Sequence, residues 1–114
     1  MLNGIFSFVL YDEDKDFYLA ARDHVGVCPL YMGRAKDGSV WFASEMKALQ
    51  DHCVTFEDFP PGHMFTSTDG MKRWYQPSWL TCETIPTTPL DLNQLRENFE
   101  AAVCRQLMTD VPYG

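Results

Sequence analysis

At 114 residues the chain has the size of one ordinary domain. Its hydrophobic share of 46% and aromatic share of 14% suffice for a packed core and argue against disorder. Nine Lys plus Arg against 16 Asp plus Glu give a net charge of −7 with no basic cluster, which excludes nucleic acid and an anionic membrane as partners on electrostatic grounds.

No apolar run approaches the roughly 20 residues of a membrane span. No basic start leads into an apolar stretch, so no signal peptide is visible. The cysteines, Cys28, Cys53, Cys82 and Cys104, are spread evenly and form no close pair. That spacing fits free thiols in a reducing cytoplasm better than a zinc or redox motif.

Asn3 to Tyr11 is almost continuously β-branched, aromatic or aliphatic after Gly4. It predicts a strand covered on both faces. The chain opens inside this strand, so an internal piece of a longer protein is expected. The charged run Asp12 to Asp16 reads as a solvated hairpin tip. An EF-hand loop would need Gly and Glu where Phe17 and Asp23 stand. Phe17 to Ala21 is the return strand.

Arg22 to Tyr31 then turns the chain. Leu30 to Gly33 and Ser39 to Ala43 predict a second hairpin around Asp37-Gly38. A short helix follows, with Ser44 as N-cap, Glu45 at its positive end and Met46, Ala48 and Leu49 available to face inward, ending near Asp51. Phe59-Pro60-Pro61-Gly62 stops regular structure. His63 to Thr68 and Met71 to Tyr75 form a third hairpin through Asp69-Gly70. Trp74, Tyr75 and Trp79 offer aromatic cover for an exposed edge.

Residues 77–90 hold Pro77, Pro86 and Pro89 among Ser and Thr and read as a linker. The last element is an amphipathic helix. Asp91 caps it, with Gln94 three residues on as a capping-box variant. Leu92, Leu95, Phe99, Ala102, Val103 and Leu107 share one face, Arg96 and Glu100 pair across one turn, and the helix ends by Val111 ahead of Pro112.

The residues alone point to no complete active site. No Gly-x-Ser-x-Gly elbow occurs, and no Gly-rich loop opens a helix. His24, His52 and His63 lie in separate turns and read as satisfied or surface residues. The His24–Cys28 spacing is weak as a sign of catalysis.

Five stretches in order resemble glutamine-dependent asparagine synthetases of the class II amidotransferase family. Gly4-Ile5-Phe6-Ser7-Phe8-Val9-Leu10-Tyr11-Asp12 is similar to the family's G-x-F-[AS]-F-x-[LI]-[YW]-D strand. Arg22-Asp23-His24-x-Gly26-x-x-Pro29-Leu30-Tyr31 is similar to R-D-x-x-G-x-x-P-L-[YF]. Ala43-Ser44-Glu45-Met46-Lys47-Ala48-Leu49 resembles A-S-E-x-K-A-L. Phe59-Pro60-Pro61-Gly62-His63 resembles the P-P-G turn near the end of the glutaminase domain. Leu107-Met108-Thr109-Asp110-Val111-Pro112-x-Gly114 resembles the segment just before the synthetase nucleotide loop.

The resemblance implies an α+β fold. Residues 1–76 would be the antiparallel, β-rich C-terminal half of an Ntn-hydrolase-type (αββα) glutaminase domain. Residues 77–90 would be a linker, and 91–114 the first helix of the synthetase domain. It implies a parent enzyme acting on glutamine, aspartate and ATP, with MgATP as nucleotide. Ammonia from glutamine would attack an aspartyl adenylate to give asparagine. The rest of the same polypeptide is the implied partner, and a homodimer is a further option.

The family's nucleophile is an N-terminal cysteine, whereas residue 2 here is Leu. The resemblance therefore assigns this stretch no catalytic, substrate-binding or metal residue and no bound cofactor. The matching positions Arg22, Asp23, Gly26, Pro29, Leu30, Tyr31, Ser44, Glu45, Lys47, Pro61, Gly62 and Asp110 are expected to be structural. Arg22 and Asp23 would buttress the loop by a charge-assisted pair or backbone bonds. The alternative is that the loop and the Ser44–Leu49 helix help form an ammonia path. Two other readings of the whole remain open: a β-lactam-synthetase-like enzyme, or a non-catalytic binding module that kept the scaffold.

Overall fold

The computed structural model describes residues 2–85 and 87–112. Met1 at the expected cut, Pro86 of the expected linker and Gly114 of the last motif lie outside the described residues. The chain divides into two units, Met1–Leu80 and Thr81–Gly114.

The first unit carries two antiparallel sheets. β1 (Ser7–Asp12) and β2 (Phe17–Arg22) form a hairpin in which Ser7 faces Arg22 and Asp12 faces Phe17. Its acidic tip closes on itself. Asp12 accepts from the Lys15 amide and pairs with the Lys15 ammonium at 2.8 Å, and Asp16 takes a positive φ of 45°. β3 (Tyr31–Arg34) and β4 (Val40–Ala43) pair through the Asp37-Gly38 turn, where Asp37 accepts from the Ser39 amide and hydroxyl.

β5 (Thr55–Asp58) pairs with the other edge of β3. β6 (His63–Thr66) and β7 (Gly70–Arg73) form the third hairpin. One sheet has the order β1-β2-β6-β7, and the other β4-β3-β5.

Alternation along the strands builds the core. Ala20 of β2, Phe65 of β6 and Met71 of β7 are register neighbours and form one apolar row. Met32 of β3 and Phe42 of β4 form the facing row. Phe42 lies 6.0 Å from Phe65 and 6.2 Å from Tyr18, ring centre to ring centre, and so joins the two sheets. Phe59, fully buried beside them, contributes about 2–3 kcal/mol by leaving water.

The opposite face of the first sheet presents Phe8, Leu19, Ala21 and Met64. With Leu2, Phe6 and Trp74 they line a shallow apolar groove of about 170 Å³.

Three sequence expectations need correction. The strand starting near Asn3 begins at Ser7, because Gly4 and Ile5 bend the chain. It is not covered on both faces, since Val9, Leu10 and Tyr11 are 48%, 50% and 60% exposed. The short helix, α1 (Lys47–Gln50), starts later than Ser44. Met46 sits at its N-cap without a side-chain cap bond, and only Leu49 is buried, while Met46 and Ala48 face outward. A single turn places one side chain inward, which suffices for so short an element.

The second unit holds one main helix, α2 (Leu92–Arg105). The Asp91 carboxylate caps it, accepting from the Asn93 and Gln94 amides at 2.9 and 3.1 Å. Arg96 and Glu100 meet at 2.7 Å on its exposed side. Its apolar face, Leu92, Leu95, Phe99 and Val103, is exposed. A 3-10 turn, Ser78–Thr81, precedes it in the Pro-containing stretch.

Candidate functional site

The segment from Arg22 to Tyr31 leaves β2, crosses to the other sheet and enters β3. At its start the alternation of β2 sends Arg22 inward, where it is 6% exposed. A buried guanidinium needs a full set of acceptors. Its Nε donates to the Cys28 carbonyl at 2.9 Å and its Nη2 to the Gly26 carbonyl at 2.9 Å. Its Nη1 donates to the Phe59 carbonyl at 2.6 Å and to both Asp58 oxygens at 3.0 and 3.1 Å. One side chain thus ties the loop to the end of β5.

Asp23 is 1% exposed and works in the opposite sense, as an acceptor. Its Oδ1 accepts from the Val25 and Gly26 amides at 2.9 and 2.8 Å, and its Oδ2 from the Phe6 amide at 3.4 Å. Its own amide donates to the Phe6 carbonyl and its carbonyl accepts from the Gly62 amide, both at 2.9 Å. Burial pushes its pKa up. The amides of Gly26, Val25, Phe6 and Val27 outweigh that and hold the carboxyl below its ordinary value. Arg22 and Asp23 therefore each take partners of their own rather than one another.

Gly26 has φ +76°, and a Cβ there would lie 2.6 Å from Pro61 Cγ and 3.1 Å from Arg22 Nε. Conformation and space both require glycine. Gly62 is the matching point across the corner, at φ +67°, with the Tyr75 Cβ 3.2 Å from where its own Cβ would stand. The Phe59 amide donates to the Leu30 carbonyl at 2.9 Å, and Trp74 Nε1 donates to the carbonyls of Arg22 and His63. The Arg22–Tyr31 loop and the Phe59–Gly62 turn are one hydrogen-bonded corner.

The remaining signature positions scatter. Leu30 is buried in the core, and Tyr31 opens β3 opposite Ala43 and Asp58. Pro29 and Pro61 are exposed, although Pro61 walls in Gly26. Ser44 is exposed, and Glu45 pairs with Lys47 at 3.0 Å in solvent, worth a few tenths of a kcal/mol at most. Asp110 is exposed in the second unit. Asp58, which completes the Arg22 site, belongs to no motif. Its signal was an acid in a strand-length run two residues before Pro60.

Beside the corner lies an open groove of about 500 Å³, walled by His24, Val25, the Pro60–His63 turn, Arg73, Tyr75, Trp79 and Leu80. His24 packs on Tyr75 with ring centres 4.6 Å apart. His63 Nδ1 lies 2.8 Å from the Pro61 carbonyl, which only accepts, so this nitrogen carries the proton. His52 stacks on Trp41 elsewhere, at 4.8 Å. Among the described residues no group of three His, Cys, Asp or Glu could hold a metal ion. The arrangement shapes backbone and buries charge.

Residues 1–51 match the glutamine amidotransferase domain family. That stretch includes β1 to β4 and the whole Arg22–Tyr31 loop. Over its full length the chain is also similar to plant enzymes. It is 58% identical to the glutamine-hydrolysing asparagine synthetase of Zea mays and 56% identical to asparagine synthetase 2 of Oryza sativa subsp. japonica. It is 55% identical to asparagine synthetase 2 of Arabidopsis thaliana. Each alignment covers 100% of this chain and 20%, 19% and 20% of the respective relative. The chain thus spans about a fifth of the length of the curated relatives it matches. The amidotransferase match agrees with the antiparallel sheets, and the α+β class holds for the described residues.

Proposed function

We propose that this chain is a segment of a glutamine-hydrolysing asparagine synthetase, contributing scaffold rather than catalytic groups. The observation that carries the reading is the similarity over 100% of the chain to enzymes of that name, at 54–58% identity. Residues 1–76 would be the second half of an Ntn-type glutaminase domain, 77–90 a linker, and 91–114 the first helix of the synthetase domain. The parent would release ammonia from glutamine and join it to aspartate activated by ATP, in the cytoplasm. Its subunits would form a homodimer.

MgATP would be held by other parts of the parent, since this sequence has no Gly-rich loop opening a helix. The Arg22–Asp58 and Asp23 networks support a scaffold role, because every group they use is committed to the backbone or to the ion pair.

The test is a chimera. The corresponding segment of the Zea mays enzyme is replaced by this chain, and asparagine formation from glutamine, aspartate and ATP is followed. Retained synthesis is expected. A soluble, folded chimera without synthesis would overturn the assignment. The isolated chain should release no ammonia from glutamine above background, and release blocked by a thiol reagent would overturn its scaffold role.

A further inference from the structure

We propose that the groove beside the Pro60–Gly62 turn binds a small aromatic carboxylate. The first observation is its charge. In a chain of net charge −7, the ten lining residues include one arginine and two histidines and no carboxylate. The carboxylates that flank it in sequence are occupied elsewhere, Asp23 by backbone amides and Asp58 by Arg22. Arg73 is thus the one formal charge on the groove's lining, a cation on an acidic molecule that can pair with an anion.

The second observation is the shape and nature of its walls. Tyr75 and Trp79 supply aromatic surface, and Val25, Leu80 and the two prolines supply apolar surface. At about 500 Å³ the space suits one small ligand, with few polar groups to orient it. His63 and Arg73 are register partners on adjacent strands, so their side chains leave the same face of the sheet. Arg73 is exposed, and the guanidinium fork matches the two oxygens of a carboxylate.

The third is that the side of the groove formed by His24, Gly62, His63 and Tyr75 is held before a ligand arrives. Gly62 is buried against Tyr75, Tyr75 packs on His24, and the Pro61 carbonyl fixes the His63 ring. The Gly62 carbonyl accepts from the Trp74 and Tyr75 amides at 3.0 and 3.2 Å, which locks the turn to the strand that carries Arg73. That side of the groove needs little ordering on binding.

The probes are benzoate, its neutral isostere benzamide, and the non-aromatic cyclohexanecarboxylate, titrated into the 114-residue chain. Amide shifts are read by heteronuclear NMR, and affinity by calorimetry. Benzoate should shift the amides of His24, Gly62, His63 and Tyr75 as one saturable set. Benzamide and the Arg73→Gln variant should each bind or be bound about tenfold more weakly, the loss expected for one charge-assisted pair. Cyclohexanecarboxylate should also bind more weakly, and Arg73→Lys should recover part of the affinity.

Arg73 lies exposed at the end of an edge strand, so its variants keep the fold, and the unchanged amide spectrum checks this. Equal binding of benzamide, undiminished binding by Arg73→Gln, shifts scattered over the surface, or no shift at all up to about 20 mM (a Kd too weak for a built site) would each overturn the proposal. None of these outcomes bears on asparagine synthesis by the chimera, so the two readings fail separately.

Discussion

Arg22 and Asp58 stand 36 positions apart in the chain and meet in a two-oxygen ion pair at 3.0 and 3.1 Å. The two partners are not equivalent. The arginine side chain is 8% exposed and the aspartate side chain 55%. Removing the buried partner leaves the carbonyls of Gly26, Cys28 and Phe59 without their donor. Arg22→Ala should therefore cost about 3 kcal/mol. Asp58→Ala leaves Arg22 its carbonyls and opens it to water, and should cost about 1 kcal/mol. Urea unfolding midpoints of the two variants check the order, and an equal loss would contradict it.

Gly26 is fixed by two constraints that can be separated. Alanine at φ +76° is strained, and its Cβ would strike Pro61. Gly26→Ala should cost about 2–3 kcal/mol. Adding Pro61→Ala should relieve the collision and not the strain, recovering part of the loss. A double-mutant cycle on thermal unfolding measures the two shares.

Asp23 carries a pH signature. Its carboxyl is held below its ordinary value of 3.8, so the folded chain binds that proton less readily than the unfolded chain. Its contribution is fully present above the unfolded value and is lost as pH falls through the lower folded value. Asp23→Asn keeps an acceptor for the Val25 and Gly26 amides and loses the charge, at about 1–2 kcal/mol near neutrality. The difference between parent and variant should shrink as pH falls past the ordinary value of 3.8 and through the lower folded value, and a constant difference in urea midpoints would contradict the linkage.

Asp91 is the testable element of the second unit. Asp91→Ala removes the acceptor of two helix amides and should cost the helix about 1 kcal/mol. Faster hydrogen exchange at Asn93 and Gln94, with no change in β1 to β7, is the expected readout.

The hairpins were legible because their turns carry their own chemistry. Asp37-Gly38 lies between the strands it was expected to join, Asp69-Gly70 leads into β7 at the expected turn, and Asp91 caps the helix it was expected to cap. β5 was not legible. Thr55-Phe56-Glu57-Asp58 has two acids, poor strand formers, and every residue is exposed. Its place comes from pairing with β3, a relation that sequence pattern does not encode locally.

The same limit hid Asp58, whose role exists only once β5 lies beside the loop. Arg22 and Asp23, neighbours in sequence, allowed either a charge-assisted pair or backbone bonds. In the fold Arg22 donates to the carbonyls of Gly26, Cys28 and Phe59 and to Asp58, while Asp23 accepts from the amides of Phe6, Val25 and Gly26. Their place in a corner was legible, and the acid that pairs with Arg22 was not.

The pairing of β2 with β6 sets Leu19 opposite Thr66, and all of the β4-β3-β5 sheet lies in the stretch of chain between them. That seam is therefore the most expensive contact to close in chain entropy, while each hairpin closes over a short turn. Hairpins and the inner sheet can assemble from local contacts, but the β2–β6 seam must wait for both sides. The Arg22 corner sits at the end of that seam. In kinetic terms it is a fastener set late, and its loss should show mainly as faster unfolding rather than slower folding.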